Sequence, residues 1–216
     1  AQAAWLSGYF AGMGQLRSGG GTVTGPLPST AGAEGAMPLT ILYGSESGNA
    51  EGCAQLAAEA AGREGFAVTV ADMGDYDRSR LAGETNLLVV VSTWGEGDPP
   101  ETAVDFHEFV MGEAAPKLEG TRFAVFALGD TSYADFCECG QQFDQRLAAL
   151  GGKRVLDRVD SDVDYEEPFN QWLGRVMPAM RAAAGTSAGS GVVAPAGQSP
   201  AVPAEIGRAS CRERVC

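Results

Sequence analysis

The residues PLTILYGSESGNA, numbered 38–50, run from an apolar segment through a loop of small residues into a helical pattern. The apolar segment 39–43 predicts a strand, and Asn49 opens the helix. Such a loop presents backbone N–H groups at a helix N-terminus, where unpaired donors and the helix dipole favour an anion, most often a phosphate. Since the loop holds no Lys or Arg and no GxxxxGK[ST] pattern, it indicates a phosphate monoester held without a cation.

The side chains of this loop supply neutral hydrogen-bond donors. Ser45, Ser47 and Asn49 add hydroxyl and amide groups, and Gly48 lets the backbone come close to a ligand. A phosphate would repel the carboxylate of Glu46, so we expect that side chain to point to solvent. An ordinary strand-to-helix turn with a good N-cap has the same composition. The phosphate interpretation therefore depends on whether other loops meet at the same end of the sheet.

Further along the chain, apolar runs alternate with helical patterns. The runs 67–70, 86–91, 122–127 and 154–159 predict four more strands. The segment NLLVVV at 86–91 is typical of a central strand that is covered on both faces of a parallel sheet. Alternation of this kind predicts a parallel sheet wrapped by helices, with right-handed crossovers. The predicted fold class is α/β, a flavodoxin-like three-layer sandwich with a five-stranded parallel sheet in the order 2-1-3-4-5.

The helices carry apolar residues at helical spacing. In the first helix, four residues recur at i, i+3, i+4 and i+7 and predict a buried face: Cys53, Leu56, Ala57 and Ala60. The only histidine, His107, falls at the edge of the apolar face of the next helix. Because no second catalytic group accompanies it in sequence, we interpret it as a partly exposed helix residue and not as a proton shuttle.

Two further loops carry aromatic residues. In the predicted strand order, the loops after strands 1, 3 and 4 lie together beyond the carboxyl ends of the strands. Trp94 lies beside two glycines in the third loop, and Tyr133 lies among small polar residues in the fourth. Two aromatics that face each other across a cleft can sandwich a flat ring such as an isoalloxazine. Either residue alone would be interpreted as a half-buried loop aromatic.

The sequence lacks the residues that two other α/β folds require to bind a phosphoryl group or a nucleotide. A response-regulator receiver needs an acidic cluster at the ends of strands 1 and 3, but those ends read Tyr43-Gly44-Ser45 and Ser92-Thr93. A dinucleotide-binding fold needs GxGxxG after strand 1, and the sequence has none there.

The composition limits the classes of partner. The formal net charge of -13 argues against nucleic acid and against an anionic membrane, and it fits either a basic protein partner or simple solubility.

The five cysteines form no CxxC pair and no cluster with histidine, so no metal site is predicted. The thiols indicate a reduced, cytoplasmic protein. No segment has the pattern of a signal peptide or a membrane span.

The three loops resemble a known family. SESGNA at 45–50, STWGEGDPPE at 92–101 and LGDTSYADFC at 128–137 are similar to the flavin-mononucleotide (FMN) loops of the flavodoxin-like domain in diflavin reductases. Within that group the chain most resembles the flavoprotein alpha subunits of NADPH-dependent sulfite reductases, over residues 3–183. AWLSGYFAGM near the start, APKLEGTRFAVFALGD and ALGGKRVLDRVDSDVDYEE all carry this resemblance. Glu46 and Ser47 depart from it, since Gln and Thr are more familiar there.

The resemblance implies a set of FMN-binding residues, no catalytic residue and no metal. The FMN phosphate would be held by Ser45, Glu46, Ser47, Gly48, Asn49 and Ala50. The isoalloxazine and the ribityl chain would be held by Ser92, Thr93, Trp94 and Gly95, and by Leu128, Gly129, Asp130, Thr131, Ser132, Tyr133, Ala134, Asp135, Phe136 and Cys137. Gly95 would be the residue whose peptide can turn its carbonyl toward N5 of the flavin at little steric cost.

The same resemblance implies an electron carrier that forms part of an oxidoreductase. It would accept electrons from an FAD/NADPH reductase domain of the same full-length chain and pass them singly to a sulfite reductase haemoprotein subunit. FAD and NADPH would bind only in C-terminal domains that do not follow here. A free-standing flavodoxin, the FMN domain of another diflavin reductase, and a non-redox assembly module remain alternatives.

The sequence divides into five segments by composition. Residues 1–17 predict a helical segment that could join subunits, 18–37 a flexible linker, and 38–184 the FMN-binding domain. Residues 185–204 form a Gly/Ala/Pro linker like those that precede an FAD domain. Residues 205–216 change composition abruptly and resemble the translation of a sequencing adapter, so we expect them to be non-native.

Overall fold

The computed structural model of the chain describes residues 36–187, which form a parallel sheet with helices on both faces. The strands are β1 Met37–Gly44, β2 Phe66–Asp72, β3 Asn86–Ser92, β4 Arg122–Leu128, β5 Lys153–Arg154 and β6 Val159–Ser161. The α-helices are α1 Asn49–Arg63, α2 Val104–Met111, α3 Glu138–Ala149 and α4 Glu166–Ser187, and short 3₁₀ helices span Arg78–Gly83 and Glu101–Ala103. The predicted N-terminal helix, most of both linkers and the predicted tail lie outside the described residues.

The sheet has the order β2-β1-β3-β4-β5 with every pair parallel, which confirms the predicted topology. Residues 86–91 of β3 are all buried, as expected for a strand covered on both faces. One hydrophobic cluster joins the sheet to α1 and α4, and a second joins its other face to α2 and α3. The three-layer arrangement follows from these two clusters.

The predicted fifth strand, 154–159, is broken into β5 and β6, which both pair with β4. Phe123 pairs with Arg154 and Phe126 pairs with Val159, so three steps along β4 match five steps along its neighbour. The two extra residues leave the ladder, as they do at a β-bulge. This break brings the two arginines of the segment onto a single carboxylate of α3.

Helix α1 buries a different face from the predicted one. Cys53 and Ala57 are buried as predicted, but Leu56 is 52% exposed and Ala60 is only partly buried. The remaining buried positions are alanines: Ala50, Ala54 and Ala61. Small side chains let the helix lie close to the sheet, so the larger Leu56 side chain falls outside the contact.

Along residues 36–187, no helix combines the length and the apolar character needed to cross a membrane.

Helix α3 also lies close to the sheet, at its first turn. A Cβ added at Gly140 would lie 2.3 Å from the Cβ of Ala127 in β4, a distance that real side chains do not show. The helix can reach this position only because residue 140 has no side chain. The contact fixes the start of α3 against the end of β4.

We expect Gly140→Ala to lower the free energy of unfolding by about 1–3 kcal/mol, because overpacking forces the backbone to shift. Gly174→Ala is the matched control, since Gly174 is also helical and a Cβ there has no neighbour within 4 Å. The control should be neutral or stabilising by about 0.5–1 kcal/mol. Denaturant unfolding followed by circular dichroism measures both variants. Equal stabilities would show that α3 can move away from β4 without cost.

Candidate functional site

A cleft of about 420 Å³ lies beyond the carboxyl ends of β1, β3, β4 and β6. It has the volume of an ordinary small-molecule site. Fourteen of its lining residues are among those predicted from sequence: Glu46, Ser47, Asn49, Ser92, Thr93, Trp94, Gly95, Leu128, Gly129, Asp130, Tyr133, Asp135, Phe136 and Cys137. The three predicted loops therefore meet at one rim of the sheet, although their binding of FMN stays a prediction.

The first loop turns into α1 through Gly48, which has a φ of 85°. Ser45 Oγ accepts hydrogen bonds from the backbone N–H groups of Gly48 at 2.9 Å and Ala50 at 3.3 Å. Ser45, Gly48 and Ala50 do not line the cleft, and Ala50 is fully buried, so these residues shape the loop. Ser47 and Asn49 line the cleft beside the first turn of α1, where N–H groups have no carbonyl one turn behind them.

Glu46 links the first loop to the third. Its side chain is exposed, as expected, but it does not point freely into solvent. Its Oε2 accepts a hydrogen bond from the backbone N–H of Glu101 at 3.1 Å, at the start of a 3₁₀ helix. This bond joins two loops that are 55 residues apart in sequence.

The third loop is a tight turn closed by its own backbone. Trp94 and Asp98 exchange two N–H···O hydrogen bonds of 2.8 and 2.9 Å. Between them Gly95 and Gly97 have φ angles of 54° and 96°, which favour glycine. A Cβ at Gly97 would lie 3.0 Å from the Cβ of Asp135, so the third and fourth loops approach each other here. The turn holds the Trp94 side chain 58% exposed at the cleft.

The fourth loop folds around Asp130. The Asp130 carboxylate accepts from the N–H of Ser132 at 2.8 Å, and its carbonyl accepts from the N–H of Tyr133 at 3.1 Å. The Tyr133 side chain lines the cleft and is 56% exposed. Along the described part of the chain, neither its ring nor that of Trp94 stacks on another aromatic side chain. Three predicted residues of this loop do not line the cleft: Thr131, Ser132 and Ala134.

Sequence reasoning missed three residues of the cleft, namely Asp162, Val163 and Tyr165. They follow β6, and they reach the rim because the carboxyl end of β6 lies beside that of β4. The Asp162 carboxylate accepts from the backbone N–H and the hydroxyl of Thr131. They were missed because the fifth strand was predicted to end at 159. The carboxyl ends of parallel strands lie at one rim of the sheet, so the residues after this strand could also have been expected at the cleft.

The charged groups of the cleft are all acidic. Its lining includes no Lys or Arg. It includes four carboxylates, those of Glu46, Asp130, Asp135 and Asp162. The hydrogen bond from the Thr131 side chain, with those from the N–H groups of Val163 and Thr131, lowers the pKa of Asp162, so this group stays ionised at neutral pH. Among residues 36–187 no group of His, Cys, Asp and Glu side chains is arranged to hold a metal.

Cys53, Cys137 and Cys139 are buried free thiols. Burial raises the pKa of each to about 12, so each is protonated at neutral pH. Cys137 lines the cleft and has a left-handed φ of 57° at the start of α3. Its Sγ–H donates to the carbonyl of Ser161 at 3.7 Å.

We expect these three thiols to react slowly with a thiol reagent in the folded protein at pH 8, because the thiolate is the nucleophile and the side chains are buried. Peptide mass spectrometry after timed labelling measures each cysteine separately. In denaturant the same residues should label at the rate of an ordinary cysteine. Fast native labelling of all three would contradict their burial.

The pKa shifts also predict how stability depends on alkaline pH. The pKa of each thiol is raised from 9.0 in the unfolded chain to about 12 in the folded protein. Their contribution is fully present below pH 9 and is lost as pH rises toward 12, because only the unfolded chain then releases these protons. Denaturant melts between pH 8 and pH 11 should show the loss, and a Cys53→Ala variant should show less of it.

The family model described as Flavodoxin matches residues 41–172. The chain is 46% identical over 211 residues to the sulfite reductase [NADPH] flavoprotein alpha-component of Bacillus subtilis, covering 97% of this chain and 34% of that protein. The component of the same name from Salmonella paratyphi B is 46% identical over 194 residues, covering 89% and 31%. The chain thus spans about a third of the length of these curated relatives.

Solved structures show the same architecture. A flavodoxin of Streptococcus pneumoniae TIGR4 superposes with a TM-score of 0.59 at 26% identity, covering 69% of this chain and 99% of that one. A mutant form of the flavodoxin from Pseudomonas aeruginosa gives a TM-score of 0.60 at 27% identity, covering 67% and 99%.

Proposed function

The chain belongs to the flavodoxin family, and from that premise we propose that it binds FMN in the cleft and serves as an electron carrier. The observation that carries the proposal is the convergence of three loops on one cleft. One loop offers neutral donors at a helix N-terminus, and each of the other two offers an exposed aromatic ring. No single loop would support the assignment. Together they match a ligand that has a phosphate group at one end and a flat ring at the other.

The residues present fit FMN chemically. A phosphate monoester can accept from first-turn N–H groups of α1 and from Ser47 and Asn49 without a cation, and the lining supplies none. Stacking on Trp94 and Tyr133 suits a flat ring. At Gly95 a Cβ would have only Asp98 Oδ2 within 4 Å, at 3.8 Å, so the peptide there has room to turn toward a ligand.

FMN, when bound, supplies the one-electron chemistry, and the protein supplies binding, orientation and electrostatics. The first loop and α1 would hold the phosphate end, and Trp94 and Tyr133 would exclude water from the ring faces. The four carboxylates of the cleft would disfavour added negative charge there by Coulomb repulsion.

We assign the chain as the FMN module of a sulfite reductase flavoprotein, which receives electrons from an FAD/NADPH reductase domain and delivers them singly to a haemoprotein subunit. Identities of 46% to sulfite reductase [NADPH] flavoprotein alpha-components support this assignment. The buried thiols are compatible with a cytoplasmic location. Assembly through residues 1–17 belongs to the same proposal.

A free-standing flavodoxin is the second candidate. The observation that favours it is that the chain covers 99% of two flavodoxin structures. The two candidates differ in their partners, so they are separated by whether the chain accepts electrons from the reductase domain of a sulfite reductase flavoprotein. A non-redox assembly module would bind no flavin at all.

The test of FMN binding uses the purified 216-residue chain mixed with FMN. We expect a flavin absorption spectrum that stays with the protein on gel filtration and a quenched flavin fluorescence. Free FMN that elutes separately, with unchanged fluorescence, would refute the proposed function. Riboflavin, which lacks the phosphate, should bind more weakly because the first loop then has no anion to hold.

We expect Trp94→Ala to weaken FMN binding by about 1–3 kcal/mol, because a stacking face and its buried area are lost. Trp94→Phe keeps an aromatic face and should lose less. Leu56→Ala is the control, since it removes an exposed apolar side chain outside the cleft. Fluorescence titration measures all three affinities, and an unchanged affinity in Trp94→Ala would remove Trp94 from the site.

We also expect electron transfer to the haemoprotein to slow as salt rises. The net charge of -13 and the acidic cleft would steer a basic partner, and ions screen that attraction. Stopped-flow measurement at increasing ionic strength tests it. A rate that does not depend on salt would mean that docking is not electrostatic.

A further inference from the structure

The broken fifth strand is held by a row of alternating charges outside the cleft lining, here called the Asp144 array: Arg154, Asp144, Arg158 and Asp160. Asp144 lies on α3 and its side chain is only 6% exposed. Arg154 donates to it from Nε at 2.7 Å and from Nη2 at 2.8 Å. Arg158 donates from Nη1 at 3.2 Å. A buried carboxylate of this kind requires such partners to offset its desolvation.

Arg158 differs from Arg154 because it also reaches β6. Its Nε donates to Asp160 Oδ1 at 2.6 Å and its Nη2 donates to Oδ2 at 3.0 Å, in the two-bond geometry that guanidinium and carboxylate favour. Arg158 therefore connects α3 to β6 across the bulge. Arg154 binds only Asp144 within the array.

The residues after Asp160 hold the fourth loop at the cleft. The carbonyl of Ser161 accepts from the N–H of Gly129 at 2.9 Å and from the thiol of Cys137. The carboxylate of Asp162 accepts from the N–H and hydroxyl of Thr131. These contacts support the beginning, the middle and the end of the loop 128–137. None of the Asp144 array lines the cleft itself.

We propose that Arg158 is a positioning residue for the ligand cleft, which acts through Asp160 by fixing the residues that hold the loop 128–137. Backbone pairing with β4 resumes only over Val159, Asp160 and Ser161, because the bulge interrupts it just before β6. The two-bond contact between Arg158 and Asp160 adds a side-chain anchor to this short pairing. The ligand-binding consequence rests on the proposed FMN function, whereas the positioning of the loop does not.

The experiment compares Arg158→Met with Arg154→Met in the full 216-residue chain. Both variants remove a guanidinium from the same buried carboxylate, so both are destabilised, and only Arg158→Met frees Asp160. Asp160→Ala is the second variant, because it leaves both arginines on Asp144 and so keeps the buried charge paired. It decides the question if Arg158→Met does not fold.

The first readout is the labelling rate of Cys137 in the absence of any ligand. In Arg158→Met and Asp160→Ala we expect it to rise by on the order of tenfold or more, since the short strand that carries the Ser161 carbonyl then lacks its side-chain anchor. Cys53 and Cys139 report general unfolding, so the expected rise is that of the Cys137 rate relative to theirs. Equal Cys137 rates in all variants, or the same rise in Arg154→Met, would overturn the proposal.

The second readout is the affinity for FMN, measured well below the melting temperature of each variant. We expect Arg158→Met and Asp160→Ala to bind on the order of tenfold more weakly, comparable with the loss of supporting contacts at other ligand sites, and Arg154→Met to bind normally. If Cys137 responds and FMN affinity does not, the ligand part of the proposal is wrong. If the unaltered chain binds no FMN, the proposed function fails, and Cys137 labelling still decides whether Arg158 positions the loop.

Discussion

Burial of β3 on both faces is the constraint on which the rest of the structure depends. A strand with no exposed face needs cover above and below, which the helices provide here, and its neighbours run parallel to it and return by crossovers. Parallel strands end at the same side, so segments far apart in sequence meet beyond β1, β3, β4 and β6. The cleft is thus a consequence of how the core is covered, and loop residues set only its chemistry.

That chemistry combines backbone donors with acidic side chains. The N–H groups at the start of α1 face one end of the cleft, while Glu46 is held by the backbone of Glu101 and Asp162 by Thr131. Each of these two carboxylates accepts hydrogen bonds from a neighbouring loop. Two of the acidic side chains that line the cleft therefore also join its loops.

The central strands and the convergence of three loops were predictable because NLLVVV and RFAVFA carry a local signal of burial. The predicted buried face of α1 was wrong at Leu56, because close packing of alanines against the sheet excludes the larger side chain. This is a tertiary effect that periodicity does not reveal. The segment RVLDRV looks like one strand, and its local pattern does not reveal the break that places both of its arginines on Asp144 of another element. Asp162 and its neighbours were missed because the predicted strand ended at 159.

The contact between Gly140 and Ala127 has a consequence for the segment between them. Ala127 is the last but one residue of β4 and Gly140 lies in the first turn of α3, so the loop 128–137 leaves and re-enters the core almost at one point. A loop with clamped ends can change its tip without moving the framework. Insertions or substitutions beside Tyr133, the tip residue that lines the cleft, would therefore reshape the mouth of the cleft while the scaffold stays intact.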